Sequence, residues 1–183
     1  QKKLLEEAYS SAQRMVYLIG DFLNVSRLQT GKFMLEPAQV NLAELVSEEV
    51  DQLQATAARR QVKLEYHAPS NFPDVTMDDG KMRQVVMNFI DNAVYYSRPN
   101  SSVLIEVLNS DHDITFAVHD TGIGVPTTER HRLFTKFYRA SNAKKVRPDG
   151  TGIGLYMVRK VVTALGGSVI FNSAEGKGST FGF

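Results

Sequence analysis

The sequence predicts an α+β fold: a two-layer α/β sandwich with a mixed sheet packed on helices, preceded by a helical arm. Three observations predict it. Segments with the helical apolar period alternate along the chain with short segments of period two. One strand is followed by a helix before the next strand, whereas two later strand pairs are joined by short turns, so crossovers and hairpins coexist in one sheet. Hydrophobic residues make up 43% of the 183 residues and charged residues 22%, enough to bury a core and too many to leave the chain disordered.

The elements follow in order. In 4–28, Leu5, Ala8, Ala12, Met15, Ile19, Phe22 and Ser26 recur at alternating spacings of three and four, the seam of a helix that packs on another helix. Leu4, Leu18 and Leu23 widen the seam toward that of a bundle. Gly31 and Pro37 end it and predict a boundary between 30 and 40. Asn41 caps a helix from Leu42 to Arg59, with Glu44 as its capping-box partner. Val62 to Tyr66 reads as a strand and Asn71 to Asp74 as a loop. Asp79 opens a helix through Met82, Val85, Val86, Phe89, Ile90 and Ala93. Strands at Ser102 to Leu108 and Ile114 to His119 flank a turn at Ser110 to Asp113. A short helix is predicted from Thr127 to Phe137, then a mobile, basic loop from Ser141 to Gly150. The last helix runs from Gly154 to Leu165 and stops at Gly166-Gly167. Ser168 to Ser173 and Ser179 to Phe183 form a closing hairpin.

Composition narrows the chemistry. With no cysteine there is no disulfide framework, thiolate metal site or cysteine nucleophile. His67, His112, His119 and His131 lack metal-type spacing. No apolar run reaches membrane-spanning length. The chain opens on Gln1 with its apolar pattern under way by Leu4, and we read it as part of a longer protein. Net charge is +1, yet Glu129 to Lys160 carries nine basic residues against two acidic ones. Such a patch is either a solvated helix face or a surface that concentrates a polyanion.

Three stretches carry candidate chemistry. Asn88 and Asn92 lie four apart and project from one helix face, where side-chain carbonyls suit Mg²⁺; capping or surface asparagines would show the same spacing. Asp120-Thr-Gly122-Ile-Gly124 follows a strand, so a carboxylate and close-approaching backbone meet at its end, as they also would in an ordinary turn. Gly150-Thr-Gly152-Ile-Gly154-Leu155 leads into a helix whose free N–H groups suit phosphate, or else serves as a hinge.

Together, in this order, these stretches resemble the Bergerat-type (GHKL) ATP site of bacterial sensor histidine kinases. The paired asparagines match the N box, the glycine runs match both glycine boxes, and Leu133-Phe134-Thr-Lys136-Phe137-Tyr-Arg139 matches the Phe-rich box. The resemblance extends from about Met15 to Phe183. Leu18 to Gly31 resembles the second helix of the dimerisation and phosphotransfer hairpin. The resemblance implies a division into 1–32, that hairpin helix, and 33–183, the catalytic ATP-binding domain. It implies ATP and Mg²⁺ as ligands and a histidine imidazole as phosphoryl acceptor. Asp120 would bind the adenine amine, with Gly122 and Gly124 passing close to the base and Tyr96 joining the nucleotide set. Asn92 would ligate Mg²⁺ beside Asn88. Gly150, Gly152 and Gly154 would lie at the phosphates, with N–H groups of Thr151 and Leu155. Arg139 and Lys136 would approach from the lid, about Ser141 to Asp149. Implied partners are the rest of the hairpin, a second copy in the full-length dimer and a response regulator, in a cytoplasmic segment, without nucleic-acid or membrane contact, of a kinase that is either membrane-anchored or free.

Two departures stand out. None of the four histidines fits the family's acceptor motif, so self-phosphorylation of this chain is not expected. The position three after Asn92, commonly lysine in the family, is Tyr95. Two rival readings remain at this point: a degenerate ATP-site module that acts through contact, supported by Tyr95, and a hydrolytic ATPase of the same fold. The latter commonly needs glutamate where this chain has Asn88.

Overall fold

The computed structural model describes Gly20 and residues 34–110 and 113–183. The predicted helical arm over 4–28, the segment 1–32 as hairpin helix, His112 and the tip of the 110–113 turn lie outside the described residues. Leu35–Phe183 forms one compact unit. Its elements are β1 (Ala38–Asn41), α1 (Leu42–Arg59), β2 (Val62–Tyr66), β3 (Asp74–Met77), α2 (Asp79–Tyr96), β4 (Ser101–Asn109), β5 (Ile114–Asp120), a 3₁₀ turn (Thr127–Arg132), α3 (Ser141–Val146), α4 (Gly154–Ala164), β6 (Ile170–Ala174) and β7 (Gly178–Gly182).

Five strands form the main sheet in the order β2-β4-β5-β7-β6. The β2–β4 pair is parallel and the remaining pairs antiparallel, so the sheet is mixed as the sequence predicts. Helix α2 packs against α1, α4 and β5. Its Val85, Val86, Phe89, Ile90 and Ala93 are all buried. The Phe89 ring lies 6.3 Å from Phe116 on β5 and 5.9 Å from Phe181 on β7, joining helix layer to sheet. Burial of each such ring contributes about 1.5–3 kcal/mol. The other sheet face leaves Leu104, Leu108 and Ile170 exposed, which makes the sandwich two-layered.

Local chemistry sets the helix ends. The Glu44 N–H donates to Asn41 Oδ1 at 3.2 Å, and the Lys81 N–H donates to Asp78 Oδ1 at 2.9 Å. After α4, Gly166 takes φ +84°, and the N–H groups of Gly166 and Gly167 donate to the Thr163 and Val162 carbonyls. That is a Schellman ending, in which glycine supplies the left-handed residue.

The structure corrects the sequence reading in three places. First, β1 and β3 pair as a separate two-stranded antiparallel sheet, so Asp74 begins a strand and does not end a loop. Asn41 Nδ2 donates to the Phe72 carbonyl at 2.8 Å and ties the two strands' ends. Second, Thr127 to Phe137 is no α-helix. It is a six-residue 3₁₀ turn without a buried residue, and Phe137 has φ +61°, which a continuing helix forbids. Third, Ser141 to Gly150 begins as helix α3. Glu129 caps it from outside, accepting from the Ser141 N–H at 2.8 Å and the Ser141 hydroxyl at 2.6 Å.

Candidate functional site

The site is built on the exposed face of α2. Asn88, Asp91, Asn92 and Tyr95 stand at i, i+3, i+4 and i+7 and so share one stripe, away from the buried Val86, Ile90 and Ala93. Asn88 Nδ2 donates to the Gln84 carbonyl at 3.1 Å, which orients the amide and turns its Oδ1 outward. That oxygen faces the start of α4: a Cβ on Gly154 would lie 2.1 Å from it. The two helices therefore meet through a glycine in the first turn of α4, the turn that includes Leu155.

Asp120 ends β5 and forms the floor. The Gly122 N–H donates to its Oδ1 at 2.8 Å. Burial pushes the Asp120 carboxyl above its ordinary range, and the N–H bonds from Gly122 and Ser179 offset this only in part. The following turn is pinned to the end of α2. The Ile123 N–H donates to the Tyr96 carbonyl at 3.2 Å, and a Cβ on Gly122 would come within 2.2 Å of that same oxygen. Gly124 has φ +58° and lies against the Ala174 carbonyl. Floor and helix are thus one rigid corner.

Sequence reasoning missed part of this corner. Gly178, at φ +111°, would place a Cβ 2.0 Å from the Asp120 carbonyl. The buried Ser173 hydroxyl accepts from the Val125 N–H at 2.9 Å and donates to the Gly178 carbonyl at 2.9 Å. The glycine flanking Lys177 was the available signal; Ser173 offered none.

Of the remaining predicted residues, Gly150, Thr151, Gly152 and Arg139 cluster where the chain runs from α3 to α4. Gly152, at φ +72°, packs on the backbone of Phe137 and Tyr138, and Gly150 packs on the Arg139 guanidinium. Thr151 Oγ1 accepts from the Ile153 N–H at 3.2 Å. Arg139 donates to the carbonyls of Pro148 at 2.9 Å and of Arg147, so its guanidinium closes the chain after α3. Tyr96 lies near Arg147 and Arg139; burial pushes its hydroxyl up while both guanidiniums act against that rise. Lys136 stands apart, its ammonium 5.5 Å from the exposed Phe137 ring. A residue without a firm role in the sequence reading also reaches α2: Arg147 pairs with Asp91 at 2.8 Å. Burial acts against the Arg147 charge, and Asp91 together with Tyr96 and Tyr95 outweighs it.

Residues 77–183, which contain Asn88, Asn92, Asp120 and both glycine runs, match the model of the family described as histidine kinase-, DNA gyrase B-, and HSP90-like ATPase. The chain belongs to this family. Among curated relatives, it is 31% identical over 99% of its length to the circadian input-output histidine kinase CikA of Synechococcus elongatus, and spans 24% of that protein. It is 31% identical over its full length to the signal transduction histidine-protein kinase BarA of Escherichia coli, and spans 20% of it. Among solved structures, full-length ShkA in complex with AMPPNP matches with TM-score 0.83 and 28% identity, covering all of this chain and 38% of that one. The chain thus carries the ATP-binding catalytic domain of the sensor histidine kinase type. The mixed sheet on helices is the architecture shared with the ShkA structure. No helix among the described residues is long and apolar enough to cross a membrane.

The donor set of this ATPase domain fits a magnesium ion only in partnership with phosphate. Among the described residues no group of three or more His, Asp or Glu side chains is placed to hold a metal ion. The Asn88 carbonyl oxygen, oriented by Gln84 and facing Gly154, is a hard neutral ligand of the kind Mg²⁺ accepts beside phosphate oxygens.

Proposed function

We propose that this domain transfers the γ-phosphoryl group of ATP to a histidine on a hairpin helix outside the chain, for relay to a response-regulator aspartate. The observation that carries the reading is the meeting of Asn88 Oδ1 with Gly154 at the start of α4, across the corner that Asp120 closes. Asp120 accepts the adenine amine hydrogen, with Gly122, Gly124 and Tyr96 around the base. Asn92 and Asn88 would hold Mg²⁺, which when bound would supply positive charge beside the phosphates. Thr151 and Leu155 offer N–H groups to the phosphates between Gly150, Gly152 and Gly154, while Arg139, and less directly Lys136, add positive charge from the lid side.

In the transfer, an imidazole nitrogen forms a bond to the γ-phosphorus and the bond to the β–γ bridging oxygen breaks. ADP leaves with that electron pair, and the other ring nitrogen of the imidazole releases its proton to solvent. The protein's part is positioning and charge stabilisation. Asn88 offers no carboxylate to activate water, which favours transfer over hydrolysis. The AMPPNP complex of ShkA and the kinase names of CikA and BarA support the same reading. The division into 1–32 and 33–183, the dimer, the response regulator and a cytoplasmic position belong to this proposal.

Incubation with γ-labelled ATP tests it. The chain alone gains no histidine label, and the complete hairpin of the full-length protein, added in trans, becomes labelled. Stable label on one of the chain's own histidines, or hydrolysis without transfer, contradicts the proposal.

A further inference from the structure

Tyr95 stands where a helix cation would face the phosphates, yet two cations converge on its ring. The Arg60 guanidinium carbon lies 3.9 Å from the ring centroid and that of Arg147 lies 4.4 Å from it. Arg60 is fixed there, its Nη2 donating to the Tyr95 carbonyl at 2.7 Å. Arg147 comes from the other side of the sequence, at the end of α3, and adds the 2.8 Å pair with Asp91. Asp91 directly precedes Asn92, and Asp91 and Tyr95 share the stripe of α2 that carries Asn88 and Asn92. The Arg147 side chain is 30% exposed, so its guanidinium is neither buried in the core nor free in solvent.

We propose that Arg147, presented by Tyr95 and Asp91, is the phosphate-binding cation of this site and replaces a lysine at position 95. A guanidinium suits this place better than an ammonium. Its flat face stacks on the tyrosine while its edge donates to a carboxylate or to phosphate oxygens. Asp91 is then the competitor of the phosphates for the same edge. Neighbouring Arg60 keeps the ring's surroundings positive, so the exchange of one carboxylate for a more highly charged anion is favourable. The inference rests on the nucleotide reading above.

Calorimetric titration of the chain with AMP-PNP, ADP and AMP tests it. Arg147→Ala is expected to weaken AMP-PNP binding about tenfold, ADP binding less and AMP binding hardly at all. Asp91→Asn is expected to strengthen AMP-PNP binding, a gain that misfolding cannot produce, and the gain is expected to vanish when Arg147→Ala is added. Equal weakening toward all three nucleotides, unchanged affinity in Arg147→Ala, or a gain in Asp91→Asn that survives the second substitution each overturns the assignment. Failure of the unsubstituted chain to bind any of the three overturns the nucleotide reading itself.

Discussion

Asn88 and Gly154 share one small space: the amide oxygen of the first stands 2.1 Å from where a Cβ on the second would be. The contact fixes the distance between α2 and the start of α4, and with it the gap proposed to hold an ion and phosphates. Only a residue without a side chain lets the oxygen stay outward.

Gly154→Ala is therefore expected to leave the fold intact and to disturb the ligand. The clash is with a side-chain end that rotates away, and alanine is the better helix former. Rotation misdirects Asn88 Oδ1. Titration with AMP-PNP with and without Mg²⁺ should show the Mg²⁺-dependent part of the affinity reduced by about tenfold, the worth of one charge-assisted contact. An unchanged Mg²⁺ effect removes Asn88 from the ion site.

Asp120 predicts a pH dependence with two opposite signs. Its native carboxyl is raised above the ordinary value of 3.8, mainly by burial. The native state then binds the proton more readily than the unfolded chain, so stability from this group falls as pH rises through the raised native value. Acceptance of an adenine amine hydrogen needs the ionised form, so nucleotide affinity falls as pH drops through that same value, starting above the ordinary carboxylate range. Asp120→Asn keeps an acceptor for the Gly122 N–H and removes the buried charge. It should melt at a higher temperature than the unsubstituted chain at pH 7 and lose nucleotide binding. A lower melting temperature contradicts the burial argument.

Gly122 and Gly166 separate packing from backbone strain. A Cβ at Gly122 would meet the Tyr96 carbonyl at 2.2 Å, against backbone that cannot rotate away. A Cβ at Gly166 meets nothing within 4 Å, although φ is +84°. Gly166→Ala should cost about 1–2 kcal/mol, the left-handed penalty alone. Gly122→Ala should cost more in denaturant unfolding, and should also loosen the Asp120 corner.

Glu129 ties α3 to the 3₁₀ turn. Hydrogen bonds from the Ser141 hydroxyl, the largest cause, and from the Ser141 N–H and Tyr138 hydroxyl hold its carboxyl below the ordinary value of 4.5. A depressed native value means that the tie is present above the unfolded value and lost as pH falls through the native one. Hydrogen-exchange protection over 141–146 should decline below about pH 4.5, and Glu129→Gln should weaken it already at neutral pH. Equal protection in the variant would show that α3 stands without this cap.

The main sheet and α1, α2 and α4 were legible because each carries its own period and its own stop signal, such as Asn41 before α1 and Gly166-Gly167 after α4. The asparagines, Asp120 and the glycines could be named as candidates because their chemistry repeats in a known order. What stayed hidden depends on partners distant in sequence. Helix α3 starts through Glu129, 12 residues away. Strands β1 and β3 have four residues each, too few for a period, and are defined by pairing such as Gln39 with Thr76. Arg147 meets Asp91 across 56 residues, and nothing in the basic run singles it out from Lys144 or Lys145.

The central claim is that an adenine nucleotide binds at the corner that Asp120 closes against α2. Titration calorimetry with AMP-PNP and Mg²⁺ on the chain and on Asp120→Asn tests it most directly. The account predicts saturable binding at one site and its loss in the variant, with the fold of both verified by circular dichroism. Absence of binding by the unsubstituted chain, or equal affinity of the two, contradicts it.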